Sequence, residues 1–235
     1  MAGQQEFNGV LLVDKPLGLT SHDVVDRLRR KLAMKRIGHA GTLDPIATGL
    51  LVILLGTATK ISQLITNCDK TYLGEMLLGV TTDTQDAQGT IIGTKDVPEL
   101  PLKDLEMAMH AFLGEQHQIP PMFSAKKING TPLYKLARKG QQVERSPRLV
   151  NVSEFDLVTF TPPRVGFRLS CSKGTYVRTI LNDVGQLLGY GAHMTKLTRT
   201  RVGTLTLENA TNLDDIMAMP SEEIAKLILA VTNVV

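Results

Sequence analysis

GHAGTLDPIATGLLVILLG, residues 38–56, holds a single carboxylate, Asp44, between Leu43 and Pro45, with glycines on both sides and an apolar run behind it. Taken locally, an aspartate followed by proline starts a helix. The carboxylate caps the first free amides, and the fixed φ of proline suits the first helical position. Asp44 is therefore expected as an N-cap. The run LLVILLG beyond it reads as a buried strand. Gly38, Gly41 and Gly49 permit positive φ and let the backbone come close to a ligand.

Upstream of this stretch, GVLLV predicts a short strand, and TSHDVVDRLRRKL opens with a Thr20/Asp23 capping box. Val24, Val25, Leu28 and Leu32 then recur on one face, which predicts an amphipathic helix with a basic outer surface. Downstream, YLGEMLLGV reads as a second buried strand and LEMAMHAFLG as a helix ending at Gly114. RVGFRLSCS alternates Val165, Phe167, Leu169 and Cys171 as a half-buried strand does, and TYVRTILNDVGQLLG predicts a helix closed by Gly189. Strands and helices mix without a regular βαβ rhythm. That order predicts an α+β fold, a mixed and mostly antiparallel sheet flanked by helices. No repeat, low-complexity tract or Gly/Ser linker divides the chain, so residues 1–235 are expected to form one domain, with 205–235 as a short C-terminal cap.

Residues 120–148, PPMFSAKKINGTPLYKLARKGQQVERSPR, differ in character: basic, rich in Gly and Pro, and weakly periodic. They read as a basic loop inserted into the core fold. A loop this long in a compact domain is usually functional or disordered, and Lys126, Lys127, Lys135, Arg138 and Lys139 suit it to gripping phosphates.

The chain is long enough to bury a substantial core. Its two cysteines, Cys68 and Cys171, form no CxxC pair and sit in no Cys/His cluster, which argues against a zinc site or a disulfide framework. The N-terminus lacks a basic region followed by the apolar core of about 7 to 15 residues that a secretory signal needs. The longest apolar run, LLVILL, is far too short for a bilayer. A soluble, cytoplasmic protein is expected. Net charge is only +3, but 16 of the 26 Lys and Arg lie in 27–36, 126–148 and 196–201. Acidic residues gather instead at 83–106 and 208–223. This segregation fits a basic face for a polyanion, although charge alone is equally compatible with solvated helix faces.

Five motifs in order, DKPLGLTS (14–21), GHAGTLDPIATGLLVILLGTATK (38–60), KTYLGEMLLG (70–79), PPMFSAKKINGTPLYKLARKG (120–140) and KGTYVRTI (173–180), give the chain its likeness. Over residues 7 to 204 it resembles the TruB family of tRNA pseudouridine synthases. The resemblance implies a pseudouridine synthase fold and an isomerisation that breaks the C1′–N1 bond of a T-loop uridine, turns the uracil, and joins C5 to C1′. No cofactor is implied. By the same resemblance Asp44 is the nucleophile, its target being C1′ of the ribose or C6 of the uracil. Arg178 pairs with it and keeps it ionised, and Tyr72 stacks on the uracil and serves the loss of the C5 proton. His39 fills the space left when the uridine is flipped out, an extrusion that costs a few kcal/mol. Lys15, Pro16 and Leu197 support or line the pocket. The implied partner is the T arm of tRNA, met by a monomer without a membrane.

Family members commonly continue into a small additional RNA-binding domain. The residues after RVGTLTLENA are too few and too acidic to match it, so the helix at 27–36 and the insertion are expected to supply most phosphate contacts. Weaker tRNA binding and a shallower salt dependence than in longer relatives are expected to follow. Three other functions compete. A guide-RNA-dependent relative normally uses the extra domain, and a non-catalytic RNA-binding or tRNA-folding protein would need neither Asp44, Arg178 nor Tyr72. A hydrolase would need a second carboxylate or a DxD pattern that the sequence does not offer.

Overall fold

The computed structural model describes residues 7–124, 127–128, 130–137, 139–141 and 143–234. Strand β1 (Gly9–Lys15) leads into helix α1 (Ser21–Lys31), and strands β2 (Ile37–Ala40) and β3 (Ala47–Leu55) flank the Asp44 loop. A 3-10 turn at Gly56–Ile61 and helix α2 (Ser62–Asn67) precede β4 (Lys70–Leu78). β5 (Val80–Thr82), β6 (Ile91–Thr94), α3 (Leu102–His110) and β7 (Gly114–Gln118) come next. The inserted segment carries the two-residue strands β8 (Lys127–Ile128) and β9 (Thr131–Pro132) and helix α4 (Leu133–Ala137). After it run β10 (Arg148–Thr161), β11 (Arg164–Cys171), α5 (Val177–Leu187), β12 (Ala192–Val202), β13 (Leu205–Thr206), β14 (Thr211–Asn212), α6 (Leu213–Ala218) and α7 (Ser221–Lys226). These elements pack as two compact units, Met1–Tyr72 with Leu197–Val235, and Leu73–Lys196.

In the first unit the strands follow the order β14, β1, β3, β12. The whole of β1 runs antiparallel to β3, from Gly9 opposite Leu55 to Lys15 opposite Gly49. The other edge of β3 is divided. β12 pairs parallel with its start, Leu197 opposite Ala47 to Arg199 opposite Gly49, and β2 pairs antiparallel with its end, Ala40 opposite Val52 to Ile37 opposite Leu55. The loop 41–46 therefore leaves the sheet where β2 stops and β12 begins. Leu50 to Leu55 are fully buried, because a strand covered on both faces needs apolar side chains on both. Val10, Leu12, Leu50, Val52, Leu54, Ile65 and Val202 pack together as its core. α1 carries the expected capping box, and Val24, Val25, Leu28 and Leu32 are buried as their spacing requires. Burying each such side chain contributes roughly 1.5–3 kcal/mol. The tail returns to the same sheet, with β14 parallel to β1 and Val10 and Leu229 exchanging backbone hydrogen bonds of 2.9 and 2.8 Å.

In the second unit β11 lies between β4 and β10, and β7 pairs with the far side of β10. Val165, Phe167, Leu169 and Cys171 are buried in alternation as expected, and Phe167 meets Phe155 edge to face at 5.8 Å. Two local expectations are corrected. The helix LEMAMHAFLG stops at His110, because the amides of Phe112 and Leu113 bond three residues back and tighten the last turn; Gly114, at φ +87°, opens β7 instead. No helix follows Asp44. Its carbonyl accepts from the Ala47 amide at 3.0 Å, closing a tight turn that feeds straight into β3. Pro45 suits the second position of such a turn as well as it suits a helix start.

Candidate active site

Asp44 sits in a turn whose neighbours are held on both sides. The Ser21 hydroxyl, at the start of α1, accepts from the Leu43 amide at 2.8 Å and donates to the Leu43 carbonyl at 3.2 Å. Both Ser21 and Leu43 are buried. On the other side the Gly18 amide donates to the Pro45 carbonyl at 2.8 Å. The loop bearing Gly18 is anchored in turn by Lys15, whose Nζ donates to the carbonyls of Pro16 and Leu19 at 2.9 and 2.7 Å. Pro16 thus belongs to the brace beneath Asp44. Because buried backbone groups are costly when unpaired, this bonding fixes the path of the turn.

Arg199 lies under the same loop. It is 1% exposed, and its guanidinium donates to the carbonyls of Leu50 at 2.8 Å and Gly41 at 3.0 Å, joining the two ends of the segment that carries Asp44. Burial lowers its pKa from the usual arginine value, and the nearby Tyr72, hydrogen-bonded to it, works in the opposite direction. Leu197, two residues earlier on β12, is buried as well. Gly49 allows this arrangement: at φ +94°, its missing Cβ would fall 2.5 Å from the Arg199 carbonyl oxygen. The basic patch expected at 196–201 is corrected at this position, because a fully buried guanidinium spent on carbonyls meets no phosphate.

Burial pushes Lys15 down to about 8, the Asp44 carboxylate partly restores it, and the Arg199 charge opposes it. His39, on β2, is held below the ordinary imidazole value, first by burial and then by the charges of Arg199 and His22. Its Nδ1 is buried without a hydrogen-bond partner among the described residues. The first unit therefore brings together Lys15, Pro16, His39, Asp44, Tyr72 and Leu197, all expected from the sequence, and adds Ser21 and Arg199.

Arg178 belongs to the second unit. It is buried near the start of α5 and makes an ion pair with Asp86, itself buried, at 3.1 Å; it also donates to the Phe123 carbonyl at 2.6 Å. Asp86 is held by Thr84 at 2.7 Å and the Gln88 amide at 3.0 Å. In sequence Asp86 is one of several clustered acids, and no local signal in TTDTQDAQG separates it from the solvated ones. Arg199 does carry a signal, since it alternates with Leu197 on one strand face. Lys126 and Arg138 lie outside the described residues, and so does the Lys127 side chain. Among the described residues no group of three His, Cys, Asp or Glu could hold a metal ion, and no helix is long and apolar enough to cross a membrane.

Two family models together match residues 29–235. The N-terminal domain model of TruB family pseudouridylate synthases matches residues 29–177, more than half of the chain, and the tRNA pseudouridylate synthase B C-terminal domain model matches 178–235. The chain belongs to the TruB family. A relative from Opitutus terrae named tRNA pseudouridine synthase B is 55% identical over 97% of this chain and 95% of its own length. One of the same name from Syntrophotalea carbinolica is 45% identical over 97% of this chain and 74% of its own. Among solved structures, a chain of a Cbf5–Nop10–Gar1 complex superposes with a TM-score of 0.73 at 30% identity, covering 94% of this chain and 60% of that one. The pseudouridine synthase fold expected from the motifs is thereby shown, and the loop carrying Asp44 lies inside the TruB N-terminal match. The tail read from sequence as a short cap falls within the TruB C-terminal match.

Proposed function

We propose that the chain isomerises a T-arm uridine of tRNA to pseudouridine without a cofactor, using the Asp44 carboxylate as nucleophile. The uridine is flipped out of its stack, and Asp44 attacks C1′ of the ribose or C6 of the uracil. The C1′–N1 bond breaks, the uracil turns and C5 joins C1′, the bond to Asp44 breaks and returns the free carboxylate, and the C5 proton leaves as N1 gains one. Tyr72 stacks on the uracil and relays the C5 proton. Arg178 supplies the guanidinium that keeps Asp44 ionised, and Leu197 lines the pocket. His39, whose charged form is disfavoured by burial and by the charges of Arg199 and His22, fills the gap in the loop. The insertion residues Lys126, Lys127 and Arg138 hold phosphates, and the chain acts as a cytoplasmic monomer.

The observation that carries this reading is the turn around Asp44, braced by Ser21, Gly18 and Arg199 with Tyr72 bonded to the same arginine. Groups held in place before the reaction lose little freedom when it occurs. The relative from Opitutus terrae supports tRNA as the substrate. Purified protein, given a T-arm stem-loop carrying 5-tritiated uridine and no other RNA or protein, should release tritium and leave pseudouridine at the T-loop position. Binding without release would favour a non-catalytic RNA-binding protein, and release only with an added guide RNA would favour the guided alternative.

A further inference from the structure

Gln118, the last residue of β7, is 4% exposed, and both ends of its amide group bond the backbone of one residue, the N–H and the carbonyl of Tyr176. Its Oε1 accepts from the Tyr176 amide at 2.8 Å, and its Nε2 donates to the Tyr176 carbonyl at 3.1 Å. Tyr176 is the N-cap residue of α5, where its own side chain makes no capping bond, and Arg178 follows two positions later. The Tyr176 carbonyl also accepts from the amides of Thr179 at 3.1 Å and Ile180 at 3.3 Å, so the clamp acts on the residue from which the helix departs. The Tyr176 ring lies under the guanidinium groups of Arg148 at 5.3 Å and Arg178 at 5.9 Å.

The chain that leaves Gln118 returns to the same arginine. Five residues on, the Phe123 carbonyl accepts from Arg178 Nη2 at 2.6 Å. Between them, the Pro120 carbonyl accepts from Arg145 at 3.0 Å, which ties the two legs of the 120–148 insertion together at its foot. Residues 118–123 therefore grip Arg178 twice, through the helix backbone at one end and the guanidinium at the other. Two prolines, Pro120 and Pro121, stiffen the span between.

We propose that Gln118 is a positioning residue for Arg178, the link through which the foot of the insertion sets the place of that guanidinium. This rests on the proposed reaction, in which Arg178 serves Asp44. A misplacement of about 1 Å in a catalytic constellation can cost roughly 100-fold in rate, whereas RNA gripped by the rest of the surface is insensitive to it.

Gln118→Met keeps the volume and removes both hydrogen bonds. Tritium release is read in single turnover at saturating T-arm stem-loop, with enzyme in excess, and RNA affinity in parallel. Gln118→Met should lower the rate at least about 10-fold while Kd moves less than about 2-fold. In an Arg178→Lys background the same substitution should lower the rate less than about 2-fold further, because the group it positions is already gone. A purely structural role predicts equal fractional losses in both backgrounds, and that result, or a Gln118→Met rate within about 2-fold of wild type, overturns the proposal. If Gln118→Met does not fold, Gln118→Glu, which keeps the acceptor for the Tyr176 amide, is put through the same pair of backgrounds, and additive losses again overturn it. An inactive wild type removes the proposed reaction itself, a separate failure from an active wild type whose rate ignores Gln118.

Discussion

One hydroxyl satisfies both backbone polar groups of Leu43, the residue before the proposed nucleophile Asp44. Ser21→Ala strands a buried amide and carbonyl, and should lower stability by about 1–3 kcal/mol in urea titrations. Because the turn is then less fixed, the single-turnover rate should fall further than tRNA affinity does. His39 gives a prediction in pH. Its folded pKa lies below the ordinary value of 6.5, so below about pH 6.5 the unfolded chain binds more protons than the native one, and stability is lost as pH falls. Urea midpoints of wild type and His39→Gln should diverge between pH 7.5 and 5, with wild type losing more; parallel curves would refute the shift. At this scale the sequence is legible where a residue type announces a role, as with Asp44 beside Pro45. It is opaque for Asp86, whose importance arises only when distant Arg178 meets it, and for Ser21, which looks like any residue at a helix start.

Gly49 decides whether β3 and β12 can pair beside the Asp44 turn. Its φ of +94° and the 2.5 Å approach of the Arg199 carbonyl leave no room for a Cβ. Gly49→Ala should therefore cost more than the roughly 1–2 kcal/mol of a left-handed residue alone, read as a lower melting temperature together with lost turnover. Elements with strong periodicity, α1 and β11, are legible because burial follows their spacing directly. The turn at Asp44 is not. Asp-Pro serves a helix start and a tight turn equally, and the choice falls to pairing of β3 with β2 and with β1 and β12, the last of which is remote in sequence.

Across the molecule, charge sorts by burial as much as by sequence. Arg199, though flanked by Thr198 and Thr200 in a basic run, is sealed beneath the loop, while Arg30 and Lys35, in and just after α1, are exposed. Arg30→Ala with Lys35→Ala should reduce the slope of log binding constant against log salt by roughly 0.7–0.9 for each phosphate that is no longer neutralised, with the rate at saturating RNA unchanged. An unchanged slope would take that face out of RNA binding. The family and its fold are legible because five motifs keep their order. The two compact units are not, because the chain passes from one to the other inside β4 and β12, where no linker composition marks the change. The proposed role of Asp44 is tested most directly by comparing wild type with Asp44→Asn, which keeps shape and loses the carboxylate, in single-turnover tritium release with RNA binding measured alongside. Wild type should release tritium rapidly and Asp44→Asn none despite retained binding; release by Asp44→Asn at the wild-type rate would take Asp44 out of the chemistry.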